Sequence, residues 1–147
     1  MPAASLRSAT TVCTCLALRK ASRRVSLIYD RCLAPYDLTI TQYGLLAHVN
    51  TLDGIGIASL AENLVMDPTT LSRNLRPLIN AKLAVLASDP HDRRNRSIHL
   101  TDAGRECLAK ARTGWEAAQK QVATALGEKD GTALATCVDR LLEKLSG

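Results

Sequence analysis

Aromatic residues are scarce in this chain of 147 residues: one tryptophan and three tyrosines make up 3% of it, and phenylalanine is absent. Proteins that hold single-stranded nucleic acid commonly stack bases on exposed rings, and this chain has too few rings for such a surface. Hydrophobic residues still account for 46% and charged residues for 22%, which is the composition of a folded globular protein. The core is therefore predicted to be aliphatic, and a disordered chain is excluded.

Long hydrophobic runs are missing as well. No stretch of about 18 uncharged apolar residues occurs, so we expect no membrane span. The first eleven residues lack the apolar segment and the cleavage site of a signal peptide, so we expect the protein to stay in the cytoplasm. The length is that of one ordinary domain, and we treat residues 1–147 as a single domain.

The arrangements of cysteine and histidine that enzymes use are absent. The sequence has five cysteines but no Cys-x-x-Cys pair, and no His/Cys/Asp/Glu spacing is typical of a zinc site. A thiol peroxidase or reductase would need an activated cysteine with histidine support or a paired cysteine. We therefore predict that the protein is not an enzyme, that it needs no metal or other cofactor, and that its cysteines are free thiols in a reducing compartment. The cysteines are Cys13, Cys15, Cys32, Cys107 and Cys137.

Positive charge is in excess. The formal net charge is +5 and the isoelectric point is near 9.1, which favours a polyanionic partner. The excess is concentrated in two segments, one near the start of the chain and one in the middle. The first contains Arg19, Lys20, Arg23, Arg24 and Arg31. The second contains Arg73, Arg76, Lys82, Arg93, Arg94 and Arg96.

Hydrophobic periodicity predicts a mainly helical chain with one β-hairpin. Asp67-Pro68 is a strong helix start, since the carboxylate accepts amide hydrogens and proline fits the first helical position. The helix it begins carries leucines along one stripe up to about Ala81. Two short strands follow, around residues 83–87 and 97–100, and the polar segment from Ser88 to Arg96 is predicted to be a long hairpin loop. The other predicted helices cover residues 12–34, 42–52 (capped by Thr41), 58–65, 102–126 (capped by Thr101 and ended by Gly127) and 129–145.

The middle of the chain combines two short helices, a tight turn and a basic hairpin. This order predicts a winged helix-turn-helix lobe at about residues 41–100. Its second helix presents hydroxyls and arginines for the major groove of double-stranded DNA, and the hairpin wing can place an arginine in the minor groove. The predicted contacts are Pro68, Thr69, Thr70, Ser72, Arg73 and Arg76 on the helix, and Asp92, Arg93, Arg94 and Arg96 on the wing.

The remaining helices, at about residues 12–34 and 102–147, have apolar stripes that one small lobe cannot cover. The last helix alone carries Leu134, Val138, Leu141, Leu142 and Leu145. We therefore predict a homodimer in which these helices form the dimerisation region. Two-fold symmetry would place the two second helices about 34 Å apart, which is one turn of DNA.

Several segments resemble the MarR family of bacterial transcription regulators over nearly the whole chain. They are Leu60 to Leu64, Met66 to Leu75, Asp89 to Arg94 and Leu100 to Gly104, of which the Asp-x-Arg at Asp92 and Arg94 with the following Leu-Thr-x-x-Gly is most specific. The resemblance implies a homodimer on a pseudo-palindromic operator, with residues 68–76 in the major groove. It also implies that Arg94 enters the minor groove and that Asp92 helps to fix the wing.

Two residues depart from the family pattern. Val65 stands in the turn where the family often has glycine, and Lys82 stands where a glycine usually closes the second helix. If these turns require positive φ, the β-branched Val65 is strained.

The first helix is similar to that of the organic-hydroperoxide-sensing branch of the family. In that resemblance Cys15 matches the reactive cysteine and Tyr29 matches one supporting tyrosine, while Arg19 and Ile40 replace two others. Redox sensing at Cys15, with Cys13 or another cysteine as resolving partner, is one interpretation. A packed, unreactive Cys15 is another, and a soft metal or metalloid held by both thiols is a third. The third requires a frayed helix or a partner's thiol, because residues two apart on a helix diverge.

A small aromatic acid is the alternative effector, because the family commonly binds such anions beside the dimer helices. Arg19, Arg23 or Arg24 could pair with its carboxylate, although a basic helix near DNA could equally face phosphates. The sequence thus predicts a DNA-binding regulator, most simply a repressor released by a small effector or by cysteine oxidation.

Overall fold

The computed structural model describes residues 13–147, except for the side chains of Asp89, Asp92 and Arg93. The expectation about a leader in the first eleven residues, and the start of the first helix at Val12, lie outside this range. None of the helices in the described range has the length and apolar character needed to cross a bilayer. The elements are α1 (Thr14–Leu33), a 3₁₀ turn (Ala34–Tyr36), α2 (Ile40–Thr51), α3 (Ile57–Asn63), α4 (Pro68–Asn80), β1 (Ala84–Asp89), β2 (Asp92–Leu100), α5 (Asp102–Leu126) and α6 (Glu128–Leu145).

The described chain forms two compact units, residues 33–114 and residues 13–32 with 115–147. In the second of these, Tyr29 is buried and its hydroxyl donates a hydrogen bond to Gln119 Oε1. Helix α6 buries none of its residues. Its side chains at positions 134, 138, 142 and 145 follow one helical stripe and are 37–74% exposed. An apolar stripe of this length is therefore left without cover by the described part of this chain.

The unit of residues 33–114 is built on an aliphatic core, as predicted. Leu46, Leu60 and Leu71 are fully buried, and Ile98 of β2 lies with them. The two strands form one antiparallel sheet, and α2, α3 and α4 pack around it. The helices therefore supply the core that supports both α4 and the hairpin.

Helix starts follow local capping chemistry, with one correction. Asp67 Oδ2 accepts the amide of Thr70 at 3.1 Å, and Thr101 Oγ1 accepts the amide of Gly104 at 3.0 Å, as predicted. The predicted cap Thr41 is wrong, because α2 begins at Ile40. Thr39 caps it, in a reciprocal pair with Gln42 at the third helical position. The capping signal in the sequence is Thr39 with Gln42, and it begins two residues before Thr41.

The hairpin also differs from the prediction. The segment from Ser88 to Arg96 is not a long loop, because β1 and β2 extend into it and only Pro90 and His91 join them. Ser88 pairs with Arg96, while the next residue, Asp89, pairs with Asp92. Residues 93–95 therefore form a bulge on β2, since no residue of β1 lies opposite them. The backbone of Arg94 lies at the centre of this bulge.

Two helices end in a left-handed residue that is not glycine. Val65 has φ 50° and Lys82 has φ 59°. At the end of α3, the amides of Val65 and Met66 donate to the carbonyls of Glu62 and Ala61 at 3.1 and 2.8 Å. Lys82 and the residue after it repeat this pattern at the end of α4. These are the two bonds of a Schellman motif, whose left-handed position glycine occupies without steric cost.

Gly104 lies where α5 meets the start of β1. A Cβ atom added there would be 2.0 Å from the carbonyl oxygen of Leu83 and 2.9 Å from its carbonyl carbon. The same oxygen accepts the amide of Thr101 at 3.1 Å, and the Thr101 hydroxyl donates to the Lys82 carbonyl at 2.7 Å. The first turn of α5 is therefore held against the backbone that enters the hairpin.

We expect Val65→Gly to stabilise the protein by about 1 kcal/mol, because it removes the left-handed strain of a β-branched residue. The Val65 side chain is 82% exposed, so little burial is lost. Urea denaturation at a fixed protein concentration measures the change. Val65→Ala is the control and should gain much less, since it keeps a Cβ atom. Equal stability of the two variants would contradict the role of strain.

Gly104→Ala should destabilise the protein by about 3 kcal/mol, because the new methyl group meets backbone that cannot turn aside. Gly44→Ala is the matched control, since an added Cβ at Gly44, within α2, has no neighbour within 4 Å. That control should be neutral or stabilising by up to about 1 kcal/mol through helix propensity. Thermal or urea unfolding measures the stability of both variants. Equal stability of the two would show that the close approach at Gly104 does not constrain the fold.

Candidate nucleic-acid interface

Core packing fixes which side of α4 faces solvent. Leu71, Leu75 and Leu78 are at most 2% exposed, whereas Ile79 is half-buried. The predicted contact residues lie on the other side and are all exposed: Pro68, Thr69, Thr70, Ser72, Arg73 and Arg76. The Thr70 hydroxyl lies 3.5 Å from Asp67 Oδ2, so this side chain also belongs to the helix cap. The polar face of α4 is thus available for a partner.

A groove lies between α4 and the hairpin. Its polar lining comes from Ser72 and Arg76 on α4 and from Arg94 and Arg96 on β2. Its apolar lining comes from Ile57, Leu75, Ile79 and Leu86. Among the described residues that line the groove, none is acidic. Three guanidinium groups around one cleft make a site suited to the phosphates and base edges of nucleic acid.

The structure brings together four of the predicted contact residues in this groove. Pro68, Thr69, Thr70 and Arg73 lie outside its lining, on the exposed first turns of α4. The predicted contacts of Asp92 and Arg93 concern side chains outside the part that the structure describes. The predicted basic tip is therefore a strand with a bulge, and Arg94 and Arg96 share a surface with α4.

The opposite side of the hairpin carries contacts that the sequence did not indicate. His99 Nδ1 lies 3.2 Å from Asp53 Oδ1, and His99 Nε2 lies 3.1 Å from Ser97 Oγ. Asp53 belongs to the loop between α2 and α3, 46 residues earlier in the chain. No sequence spacing signals a pair at this separation, because only the packing of the loop on β2 brings the two residues together.

The cysteines differ in their exposure. All five are free; Cys13, Cys15 and Cys137 are exposed, and Cys32 and Cys107 are half-buried. The amide of Leu16 donates to Cys13 Sγ at 3.4 Å at the start of α1. Tyr29 lies on the same helix as Cys15, fourteen residues later, which is about 21 Å along the axis. One chain therefore does not bring Tyr29 to Cys15, and contact between them would need two protomers.

Cys107 lies in a cavity within residues 33–114, lined also by Tyr36, Asp37 and Lys110. Burial and the nearby carboxylate of Asp37 raise the pKa of the Cys107 thiol, and Lys110 opposes them in part. Lys110 also pairs with Glu106 at 2.9 Å. Because a raised pKa disfavours the thiolate, Cys107 is poorly suited to be a nucleophile. Among the described residues, no group of three His, Cys, Asp or Glu side chains could hold a metal.

The predicted effector residues Arg19 and Arg23 are exposed on α1. They are four residues apart and so lie on the same side of the helix. Lys20 and Arg24 repeat this spacing one position later. This part of α1 thus presents a positively charged surface within its own unit.

Comparisons with known proteins support the same fold. No family model matches the chain. The regulator SarZ of Staphylococcus aureus is 30% identical over 91 residues, which are 62% of this chain and 62% of SarZ. The matched stretch thus spans about three-fifths of the length of the curated relatives. SarZ is described as an HTH-type transcriptional regulator.

Solved structures match over most of the chain. The Mycobacterium tuberculosis regulator MOSR, solved in complex with DNA, is 30% identical, covers 88% of this chain and 98% of its own, and has a TM-score of 0.72. The repressor CouR, solved with a 23-mer DNA duplex, is 28% identical, covers 86% and 89%, and has a TM-score of 0.78.

Escherichia coli MarR with operator DNA shares the fold, with a TM-score of 0.78 at 18% identity over 86% of this chain and 91% of its own. The winged lobe, the basic groove and these similarities lead to one conclusion: the chain belongs to the MarR family of winged helix-turn-helix transcription regulators.

Proposed function

We propose that the protein is a homodimeric, sequence-specific repressor that binds double-stranded DNA with α4 in the major groove and the wing in the adjacent minor groove. The groove lined by Arg76, Arg94 and Arg96 is the observation that carries the proposal. Arginine reads guanine in the major groove and is attracted to the narrow minor groove. Ser72 in the same groove supplies a hydroxyl for bases or phosphates.

The homodimer rests on the uncovered side chains of the unit of residues 13–32 and 115–147. The stripe on α6 and the apolar residues Leu16, Leu18 and Leu27 on α1 are more than one-third exposed. Exposed apolar side chains that follow one helical stripe, as on α6, mark an interface. A second copy is the natural partner, because two-fold symmetry pairs a surface with itself and places two α4 helices on one operator.

The first test is binding to duplex DNA by wild type and by Arg94→Ala. We expect the substitution to weaken operator binding by about 1–3 kcal/mol, roughly 5- to 150-fold. We expect wild-type affinity to fall about 10³- to 10⁵-fold between 50 and 200 mM salt, as for six to ten phosphate contacts in a dimer. Fluorescence anisotropy with a labelled duplex measures both quantities.

Lys110→Ala is the matched control for loss of one positive charge. Lys110 lies in the same unit but outside the groove, and its exposed pair with Glu106 contributes little stability. This variant should bind DNA as wild type does. If Arg94→Ala and Lys110→Ala bind equally well, the groove is not the DNA site.

We propose that a small effector or a thiol reagent acting on α1 releases the operator. Two observations support α1 as the receiving element. The exposed Cys13 and Cys15 are accessible to oxidants, and the exposed Arg19 and Arg23 could pair with the carboxylate of an aromatic acid. CouR has also been solved bound to p-coumaroyl-CoA.

Operator release separates the two triggers. Organic hydroperoxide should release wild-type protein but not Cys15→Ser, with Cys137→Ser as the exposed-thiol control that still responds. An aromatic acid should release wild type and Cys15→Ser equally, and should act on Arg19→Ala or Arg23→Ala only at severalfold higher concentration. Release by peroxide that persists in Cys15→Ser would remove that cysteine from the mechanism.

A further inference from the structure

The wing is joined to the loop between α2 and α3 by backbone hydrogen bonds. The amide of Gly54 donates to the Ile98 carbonyl at 3.1 Å, and the amide of Ile98 donates to the Ile55 carbonyl at 3.0 Å. Gly54 has φ 79°, and a Cβ atom added to it would lie 3.2 Å from Cε1 of His99. The bare Cα of Gly54 therefore leaves room for the imidazole ring of His99 beside the loop.

The side chains of Asp53, His99 and Ser97 continue this junction to the other strand. Asp53 Oδ1 lies 3.2 Å from His99 Nδ1, and His99 Nε2 lies 3.1 Å from Ser97 Oγ. Ser97 Oγ in turn lies 3.4 Å from the carbonyl oxygen of Ala87 on β1. We call these groups the wing relay. It runs from the loop through β2 to β1 and spans every backbone segment of the wing base.

The hydrogen bonds that the wing relay can form depend on the protonation of His99. Since Asp53 only accepts, Nδ1 must carry a hydrogen and neutral His99 leaves Nε2 as an acceptor. The single hydroxyl hydrogen of Ser97 can then be donated either to Nε2 or to the Ala87 carbonyl oxygen, but not to both. In protonated His99, Nε2 donates to Ser97 and the Ser97 hydroxyl is released to donate to Ala87. Each donor in the relay then has an acceptor, and the chain of bonds is continuous.

We propose that His99 is a positioning residue for DNA binding, whose protonation completes the wing relay and holds the wing in its binding geometry. Side chains alternate along a strand, so Ser97 and His99 lie on the side of β2 opposite Arg96 and the buried Ile98. The relay can therefore act on the wing without occupying the arginine groove. A wing ordered in advance loses less freedom on binding, so affinity should rise as the pH falls. This inference rests on the proposed DNA-binding function.

The ionisable groups around His99 come from the loop, from β2 and from the helices packed on β2. Asp53 is the ionisable residue of the loop, and on β1 the segment from Leu83 to Ala87 opposite His99 contains no ionisable side chain. Of the helices packed on β2, α3 carries Glu62, and α2 carries Tyr43 and His48. His48 directs its Nδ1 to the Gly44 carbonyl of its own helix, 2.7 Å away. Arg96 of β2 lines a pocket with Ser97 and Gly54. The charged side chain paired with the His99 ring is the carboxylate of Asp53.

The test measures DNA affinity at pH 6 and pH 8, the range in which histidine changes its charge. Both partners are partly exposed, with 36% of the His99 side chain and 65% of the Asp53 side chain accessible, so the effect is modest. We expect wild type to bind about threefold more tightly at pH 6. His99→Gln and Asp53→Asn should lose most of this ratio. His91→Gln, at the turn of the same wing, is the control and should keep it.

Amide hydrogen exchange of β2, corrected for the intrinsic pH dependence, tests the wing relay without DNA. Protection of β2 should be severalfold higher at pH 6 than at pH 8 in wild type and equal at both in His99→Gln. Two results would overturn the inference. One is equal protection of wild-type β2 at pH 6 and pH 8. The other is a His99→Gln variant that still binds DNA about threefold more tightly at pH 6 than at pH 8. Wild type with pH-dependent protection that binds no duplex would instead overturn the proposed DNA-binding function.

Discussion

The burial of one face of α4 is the constraint on which the rest of the interface depends. Complete burial of a leucine side chain contributes about 1.5–3 kcal/mol, and α4 buries three of them on one stripe. Rotation of the helix about its axis would expose this stripe, so the opposite face is fixed as well. Ser72 and Arg76 therefore point away from the core as a consequence of packing. The chemistry of the candidate site is set by the same leucines that stabilise the fold.

The backbone holds the hairpin at three places, in addition to side-chain packing. The loop at Gly54 bonds to one strand, the Leu83 carbonyl receives the first turn of α5, and the left-handed Lys82 turns the chain from α4 into β1. Each contact requires an unusual backbone position or a residue without a side chain. Lys82 accepts a strained conformation because the carbonyls at the end of α4 gain two amide donors. The wing and α4 are therefore joined by a rigid connection, which keeps their arginines in one groove.

Local chemistry predicted most element boundaries, and long-range pairing accounts for what it missed. Asp67, Thr101 and Gly127 mark helix ends through capping and through positive φ, and these signals lie within four residues of their effect. The positive φ of Val65 agrees with what the family resemblance implied for this turn.

The hairpin differs from the prediction because a polar composition favours a loop, whereas cross-strand bonds decide how far β1 and β2 extend. That pairing also creates the bulge at residues 93–95. The contact between Asp53 and His99 had no sequence signal, since it joins two segments that meet only in the folded lobe. Sequence thus pointed to arginines that line the groove, but not to the geometry that gathers them.

A single groove with three arginines explains the need for a dimer in the proposed function. Each neutralised phosphate contributes counterion release, and three contacts alone give weak binding. Two grooves joined through the uncovered stripes of α6 would make the second binding event intramolecular, which raises affinity without any new contact to DNA. Spacing then becomes part of the recognition, because only half-sites at the distance set by the dimer can engage both lobes. Under this proposal, a change in the dimer helices would alter specificity and affinity together.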